Sequence, residues 1–500
     1  MLDGIIRRRL ALETGTLYGS GHRQVALVYP SPYPVGMSSL GFQVVYRMLN
    51  NLPDTVAERA FLPADDEPQD MLLTYESERP VGNFGVLAFS VAYELELAGM
   101  LTCLKLAGLP VLASERKEDD PWVIAGGPLT FSNPLPLGPF VDVIVMGEAE
   151  DLLVELLDTI YGAESRQAAL KHLAGRPGFY VPSEHGELLS PVAAASQQHL
   201  PAYSSIITPD MALSNMHLVE AERGCSRGCS FCVMRRSTNG GMRLADVDRV
   251  VDTVPEHARR VGLVGAAVSD HPRITDILRA LIDRGLEVSL SSLRADRMTP
   301  EFVDLLRQAG YRTLTVASDG ASERLRTVLM KRIREKHLLR TAELTGEAGI
   351  AKLKVYMMAG VPGETMEDLD ELIAFTRKQA AVAGKRTQVS LGLATFVAKR
   401  NTPLDQQRFI GIRESERRIE YVRKGLAPDI EVRPISSRWA WVEYVLAQGG
   451  AREGLLVRDA WEAGGKFSDY RRAFKSAGIV DGEVAPKKAW KTAGAPLVVL

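Results

Sequence analysis

Cysteine is scarce in this chain of 500 residues: there are four, and three of them crowd into one short run at Cys225, Cys229 and Cys232. So few thiols, so unevenly placed, exclude a disulfide framework and lead us to expect a reducing compartment, the cytoplasm. Long apolar runs are absent too. No stretch approaches the roughly 18 residues of a membrane-spanning helix, and Met1-Leu-Asp-Gly-Ile-Ile-Arg-Arg-Arg lacks the apolar centre of a signal peptide. Charge of one sign is missing as well: the net charge of −2 leaves no global footprint for nucleic acid. The basic run Lys331–Arg340 reads as a solvated helix face. There is no low-complexity segment and no short repeat.

What is present is ordinary globular composition, 46% hydrophobic and 24% charged, with length enough for two to four domains. Short apolar runs alternate with helical stretches from the start. Gln24–Tyr29, Gly85–Ser90, Pro121–Ala125 and Val141–Met146 read as strands. Strands alternating with helices predict a parallel, doubly wound sheet, with ligand loops after the strand C-termini. Residues 166–215 read as a connector, with a hairpin of Gly178–Val181 and Glu187–Ser190 around Glu184-His-Gly. A second series follows: His217–Glu220, Gly262–Val268, Glu287–Ser291, Thr313–Ala317, Lys352–Met358 and Gln388–Phe396. The predicted fold is α/β: a doubly wound, Rossmann-like domain over 1–165, a partial (β/α)6 TIM-type barrel over 216–403, and a mostly helical cap over 404–500.

The three clustered cysteines follow the first barrel strand directly, in Glu222-Arg-Gly-Cys-Ser-Arg-Gly-Cys-Ser-Phe-Cys-Val. That places them at the C-terminal mouth, where barrel active sites sit. The spacing C-x3-C-x2-C offers three thiolates and no fourth. A zinc ion or a closed cluster normally takes four ligands. Three fit a [4Fe–4S] cluster with one iron open; a zinc site completed by a distant residue is the competing reading. Asp270 and His271 follow the second barrel strand and should also face the mouth. They are candidates for a catalytic proton acceptor on the substrate side, against a plain loop-ordering turn.

The pattern C-x3-C-x-Φ-C, with Phe231 as its aromatic, resembles the radical S-adenosylmethionine (SAM) superfamily. The resemblance implies that Cys225, Cys229 and Cys232 hold a [4Fe–4S] cluster, that the open iron chelates SAM, and that one electron cleaves SAM to methionine and a 5′-deoxyadenosyl radical. It also implies a low-potential electron donor such as ferredoxin or flavodoxin. Relatives end the second strand in Gly-Gly-Glu, whose carboxylate holds the SAM amine. Gly265 and Ala266, followed by Ala267, stand there without the carboxylate, so backbone carbonyls would have to accept from the ammonium. By the same resemblance Arg294 pairs with the SAM carboxylate, Asp319 with the ribose hydroxyls, and the turn at Gly360 and Pro362 meets adenine. The competing readings are a surface arginine, a helix N-cap at Asp319, and a capping box of Thr365 with Asp368.

The loops of the first domain resemble the cobalamin-binding domain of one radical SAM branch. They are Pro34-Val35-Gly36, Ser90-Val91-Ala92-Tyr93, Gly126-Gly127-Pro128 and Gly147-Glu148-Ala149-Glu150. The resemblance implies cobalamin contacts at Tyr33, Gly36, Ser90, Gly126, Gly127 and Glu148, with small residues letting a flat corrin lie against backbone. Tyr33 occupies the place of a cobalt-ligating histidine, so any cobalt would lack a histidine ligand from this loop. A corrin-free domain is the competing reading. The function implied is cobalamin-dependent methylation of an unactivated carbon. The alternatives are a radical SAM enzyme without cobalamin, of methylthiotransferase or RNA-modifying type, and a non-catalytic cobalamin or SAM sensor. Cys103, in the helical run Leu101-Thr-Cys-Leu-Lys-Leu, reads as a core residue, not a ligand of a second cluster.

Overall fold

The computed structural model describes residues 2–234, 241–482 and 497–499. The chain divides into two compact units. One comprises Met1–His217 with Gly449–Gly478, the other Leu218–Gln448 with the described residues from Ile479.

The first unit is built on a six-stranded sheet. Its strands are β1 (Arg23–Tyr29), β2 (Thr55–Phe61), β3 (Val86–Ser90), β4 (Trp122–Gly126), β5 (Val143–Val145) and β6 (Phe179–Tyr180), in the order β2-β1-β3-β4-β5-β6. The first five are mutually parallel, and β6 runs antiparallel against β5. Strand β2 was hidden in the sequence because Glu58 and Arg59 interrupt its apolar run, yet all seven of its residues are buried. The Arg59 guanidinium, 0% exposed, lies between Glu13 and Glu76 at 2.7 and 2.6 Å. Burial of this kind is tolerated only when the charge is fully paired.

The predicted hairpin is not formed. Phe179–Tyr180 extends the main sheet, Pro182–His185 makes one helical turn, and the Ser190 hydroxyl folds back to the Phe179 carbonyl at 2.7 Å. A short strand β7 (Val192–Ala194) pairs in parallel with Leu497–Val499. The connector therefore belongs to the first unit. The expected C-terminal cap is divided. Helix Ser437–Gln448 stays with the second unit, whereas Ala451–Glu462 and Phe467–Ser476 join the first. There Trp461 Nε1 donates to Thr102 Oγ1 at 2.9 Å. The remainder of that expected cap, 483–496 and 500, lies outside the described residues.

The second unit is the partial barrel. Strands β8 (Met216–Glu220), β11 (Arg260–Val264) and β12 (Glu287–Leu290) form one sheet, ordered β12-β11-β8. Strands β13 (Thr313–Asp319), β14 (Lys352–Ala359), β15 (Gln388–Thr395) and β16 (Glu431–Pro434) form the next. A parallel bridge between Leu293 and Val316 joins the two sheets. β16 adds a strand beyond the six expected. Two short strands, β9 (Glu222–Gly224) and β10 (Met242–Leu244), make an antiparallel ribbon beside the cysteine loop. Outer helices such as Ile274–Asp283 turn Ile277, Leu278 and Leu281 inward, each 0% exposed. That i, i+1, i+4 spacing is one face of a helix.

Candidate functional site

The cysteine loop leaves β9 through Gly224, whose φ of +88° is a left-handed conformation that suits glycine. Ser230 anchors the middle of the loop. Its N–H donates to the Leu329 carbonyl at 3.0 Å, and its carbonyl accepts from Leu404 N–H at 2.9 Å. All three loop thiols are free and partly exposed, while Cys103 is buried. Burial raises the Cys225 and Cys232 pKa values, and the neighbouring thiols raise them further. The Arg227 N–H on Cys225 Sγ, at 3.4 Å, works the other way, as does Lys331 on Cys232. Three mutually repelling thiolates on one loop call for positive charge among them, which iron supplies. Among the described residues no three His, Cys, Asp or Glu side chains form a site for a single metal ion. A four-iron cluster binds each thiolate to a different iron, and three free thiols on one loop fit that donor set.

Asp270 locks this loop. Its carboxylate accepts from Arg227 Nε and Nη2, both at 2.7 Å, and from Arg297 Nε at 2.7 Å, with Arg294 Nε at 3.8 Å. Although burial pulls the other way, those arginines hold its pKa below the usual carboxylate value. A carboxylate so held is a poor proton acceptor. His271 is 4% exposed; its Nε2 lies 3.1 Å from the Ala245 carbonyl and its Nδ1 accepts from Arg273 N–H at 3.1 Å. Both ring nitrogens are satisfied, and burial lowers its pKa. In this arrangement Asp270 fastens the cysteine loop and His271 ties two loops together.

The residues assigned to SAM are also placed. Arg294 is buried, and its fork already holds Asp296 at 3.0 and 3.3 Å and the Lys331 carbonyl at 3.2 Å. It is no surface arginine. It binds a carboxylate now, and a SAM carboxylate there would take the place of Asp296. Asp319 ends β13 with φ of +61° and pairs with Lys331 Nζ at 2.5 Å. It is not the helix cap; Ser322 is, accepting from Leu325 N–H at 3.2 Å. The Gly360 N–H donates to Glu364 Oε1 at 2.8 Å, and a Cβ at Gly360 would stand 2.8 Å from Ile410. Pro362 lies in the turn that follows. The capping box is formed, with Thr365 N–H donating to Asp368 Oδ2 at 2.8 Å.

At the end of β11 the expectation changes. The Gly265 carbonyl accepts from the hydroxyls of Ser291 and Ser292 at 2.9 and 3.2 Å, and the Gly265 N–H donates to Ser291. It is not a vacant acceptor for an ammonium. Ala266 follows it, and next to both lies a carboxylate from another strand, Glu222, whose Oε1 accepts from Ala267 N–H at 2.6 Å. Sequence reasoning missed Glu222. It stands only three positions before Cys225, but nothing in the linear pattern shows that β9 turns its side chain onto β11.

The first unit departs from the corrin rationale. Tyr33 is buried, stacked on Tyr75 at 5.1 Å and 9°, with its hydroxyl donated to Glu13 at 2.7 Å. A Cβ at Gly36 would meet the Phe61 ring at 2.6 Å, one at Gly127 the Val91 carbonyl at 2.7 Å, and one at Gly147 the Ala193 carbonyl at 2.3 Å. These glycines are small because the chain's own atoms press on them. Glu148 accepts from Ala195 N–H at 2.8 Å and holds the β7 segment. Ser90 and Gly126 end neighbouring strands in register. The parts of this edge left open are Val35, Tyr93 and Pro128, all exposed and all just beyond β1, β3 and β4. Tyr33 offers cobalt no nitrogen.

Residues 41–182 match the family described as radical SAM proteins, N-terminal, and residues 219–376 match the radical SAM superfamily. An uncharacterized protein of Methanocaldococcus jannaschii is 27% identical over 416 residues, covering 81% of this chain and 83% of that protein. The 2-(S-pantetheinyl)-carbapenam-3-carboxylate methyltransferase of Streptantibioticus cattleyicolor is 28% identical over 186 residues, 32% of this chain and 25% of that enzyme. The structure of the apo form of OxsB, a cobalamin-dependent S-adenosylmethionine radical enzyme, aligns with a TM-score of 0.51 at 12% identity. The alignment covers 90% of this chain and 71% of that one, a likeness of fold.

Proposed function

The chain belongs to the radical SAM superfamily, a class of enzymes that need a reductant, and from that premise we propose that it abstracts hydrogen from an unactivated carbon of its substrate and methylates that carbon with cobalamin carried by the N-terminal domain. Bound here, a reduced [4Fe–4S] cluster and SAM supply a 5′-deoxyadenosyl radical, with the electron drawn from a donor such as ferredoxin or flavodoxin, and cobalamin supplies the methyl group. The rest is done by the chain's own residues. Cys225, Cys229 and Cys232 hold the irons. Ser230 and the Arg227–Asp270 pair keep their loop in one position. Arg294, already shaped around a carboxylate, orients the carboxylate end of SAM, and Lys331 with Asp319 stands at the end of β13 for the ribose. Cofactors carry the radical chemistry, and the protein supplies position and a dry mouth.

The observation that carries the radical step is three free thiols on one anchored loop, at Cys225, Cys229 and Cys232. The methyl-transfer reading is supported by the parallel order β2-β1-β3-β4-β5 and by the open apolar edge of Val35, Tyr93 and Pro128. The likeness to a cobalamin-dependent fold and to a methyltransferase points the same way. Anaerobically reconstituted, dithionite-reduced protein should release 5′-deoxyadenosine from SAM; no release sinks the radical reading. The same protein, loaded with cobalamin and desalted, should keep corrin absorption bands. If they wash away while 5′-deoxyadenosine still forms, the methyl-transfer reading falls and the radical reading stands. Among the described residues no helix is long and apolar enough to cross a membrane.

A further inference from the structure

Glu222 has no exposed surface, and its Oε2 is buried without a hydrogen-bond partner among the described residues. The carboxyl lies flat on the end of β11: a Cβ at Gly265 would stand 2.2 Å from Oε1, so glycine is needed there. Its position is fixed from two sides. Ala221 N–H donates to the Val264 carbonyl at 3.2 Å, and Glu222 itself pairs with Leu244 in the β9–β10 ribbon. A buried carboxylate oxygen with no donor is costly.

The described surroundings do not repair this deficit. The charged groups that act on it, Glu220 and Asp270, are both negative. Their cations are already committed, Arg223 to Glu220 at 2.7 Å and Arg227 and Arg297 to Asp270. The neighbouring Gly265 carbonyl is filled by two serine hydroxyls. Among the described residues, then, one buried carboxyl oxygen three residues before the first cluster cysteine is left without a donor, and a cationic donor would satisfy it. SAM brings such a donor in the ammonium of its methionine part.

We propose that Glu222 Oε2 accepts from the ammonium of SAM, so that a carboxylate from β9 serves a binding role that the end of β11 cannot fill with Gly265, Ala266 and Ala267. Glu222 is thus a binding residue outside the cysteine motif. This rests on the reading that SAM binds at the cysteine loop. Glu222→Gln keeps an Oε1 acceptor for Ala267 and removes the charge.

The test measures dissociation constants by equilibrium dialysis on the reconstituted full-length chain, for SAM and for its deamino analogue, which keeps the sulfonium and carboxylate. Iron content and melting temperature are recorded for each protein. Wild type should bind the analogue about thirty-fold more weakly or worse, the scale expected for losing one partner of a buried charge pair. Glu222→Gln should bind the two alike, at the affinity that wild type shows for the analogue. Wild type binding both alike, or the variant keeping the wild-type ratio, overturns the proposal while leaving SAM binding intact. Wild type binding neither compound overturns the SAM reading itself, and the proposal with it. If Glu222→Gln fails to hold iron, Glu222→Asp replaces it: a reduced ratio supports the proposal and an undiminished one overturns it.

Discussion

Arg227, two residues beyond Cys225, grips Asp270 with both Nε and Nη2 at 2.7 Å, so the cysteine loop is fastened to the end of the second barrel strand by a bidentate ion pair. The Asp270 side chain is 3% exposed and also receives Arg297. Such charge-assisted pairs fix geometry as well as adding energy. Asp270→Asn removes the charge that two guanidinium groups share. It should destabilise the loop by about 2–3 kcal/mol, and the iron retained per chain after reconstitution and desalting should fall. A variant with full iron content and no substrate turnover would restore the proton-acceptor role that the geometry argues against.

The four cysteines should separate cleanly. Cys225→Ala, Cys229→Ala and Cys232→Ala should each abolish iron binding and 5′-deoxyadenosine release. Cys103, 0% exposed within helix Glu96–Leu106, carries a thiol whose pKa burial raises. Cys103→Ala should hold full iron and lose some stability, about 1 kcal/mol for a small buried side chain. Iron analysis of the four variants side by side checks this.

The contrast between Cys225 and Glu222 shows what a linear pattern carries and what it does not. The thiols share one loop, so their spacing alone announces the donor set. The alternation of strands likewise announced the parallel sheets of both units, because a parallel strand buried on both faces reads as a continuous apolar run. Strand β2 escaped since Arg59 breaks its run, and the partners that make a buried arginine tolerable, Glu13 and Glu76, are 46 and 17 residues away. Glu222 escaped for the same reason: its neighbours Gly265 and Ala267 lie across a strand crossing. Gly36, Gly127 and Gly147 were legible as tight places, but a sequence does not say whether a ligand or the chain itself fills them. Likewise the pairing of Arg294 with Asp296 and of Asp319 with Lys331 depends on side-chain directions that residue types leave open.

His271 should prove structural. Its pKa lies below the ordinary histidine value because burial disfavours the imidazolium. The unfolded chain therefore takes up this proton first as pH falls, and the contribution to stability, complete above the unfolded pKa near 6.5, is lost on further acidification. Replacing the ring with His271→Gln removes that dependence. Chemical denaturation at pH 7.5 and 5.5 should show a smaller drop in the variant than in wild type, while SAM cleavage per mole of iron at pH 7.5 stays the same.

Arg59 in the first unit gives a test of the buried β2 strand. Arg59→Met leaves Glu13 and Glu76 facing each other without their cation, in a site where the Glu13 and Arg59 side chains are 0% exposed. Removing one partner of a buried network costs about 3–5 kcal/mol. Urea unfolding of the full chain should show the transition that reports the first unit moving to clearly lower denaturant. An unchanged midpoint would mean that the two carboxylates find other partners or take up protons at no cost.

The carboxyl of Glu222 also predicts how SAM affinity varies with pH. Burial pushes its pKa up to about 7; the Ala267 N–H lowers it in part, and the negative charges of Glu220 and Asp270 raise it further. An ammonium can be accepted by the carboxylate and not by the protonated acid. Below pH 7 binding must expel a proton, and affinity should fall up to tenfold for each pH unit. Above pH 7 the carboxyl is ionised before SAM arrives, and the affinity should level off. Among the groups facing Glu222, Asp270 is held below the usual carboxylate value by its arginines and stays charged throughout this range. Dissociation constants for SAM at pH 6, 7 and 8 should therefore bend near 7 in wild type and run flat in Glu222→Gln. A bend that persists in the variant would assign the titration to another group.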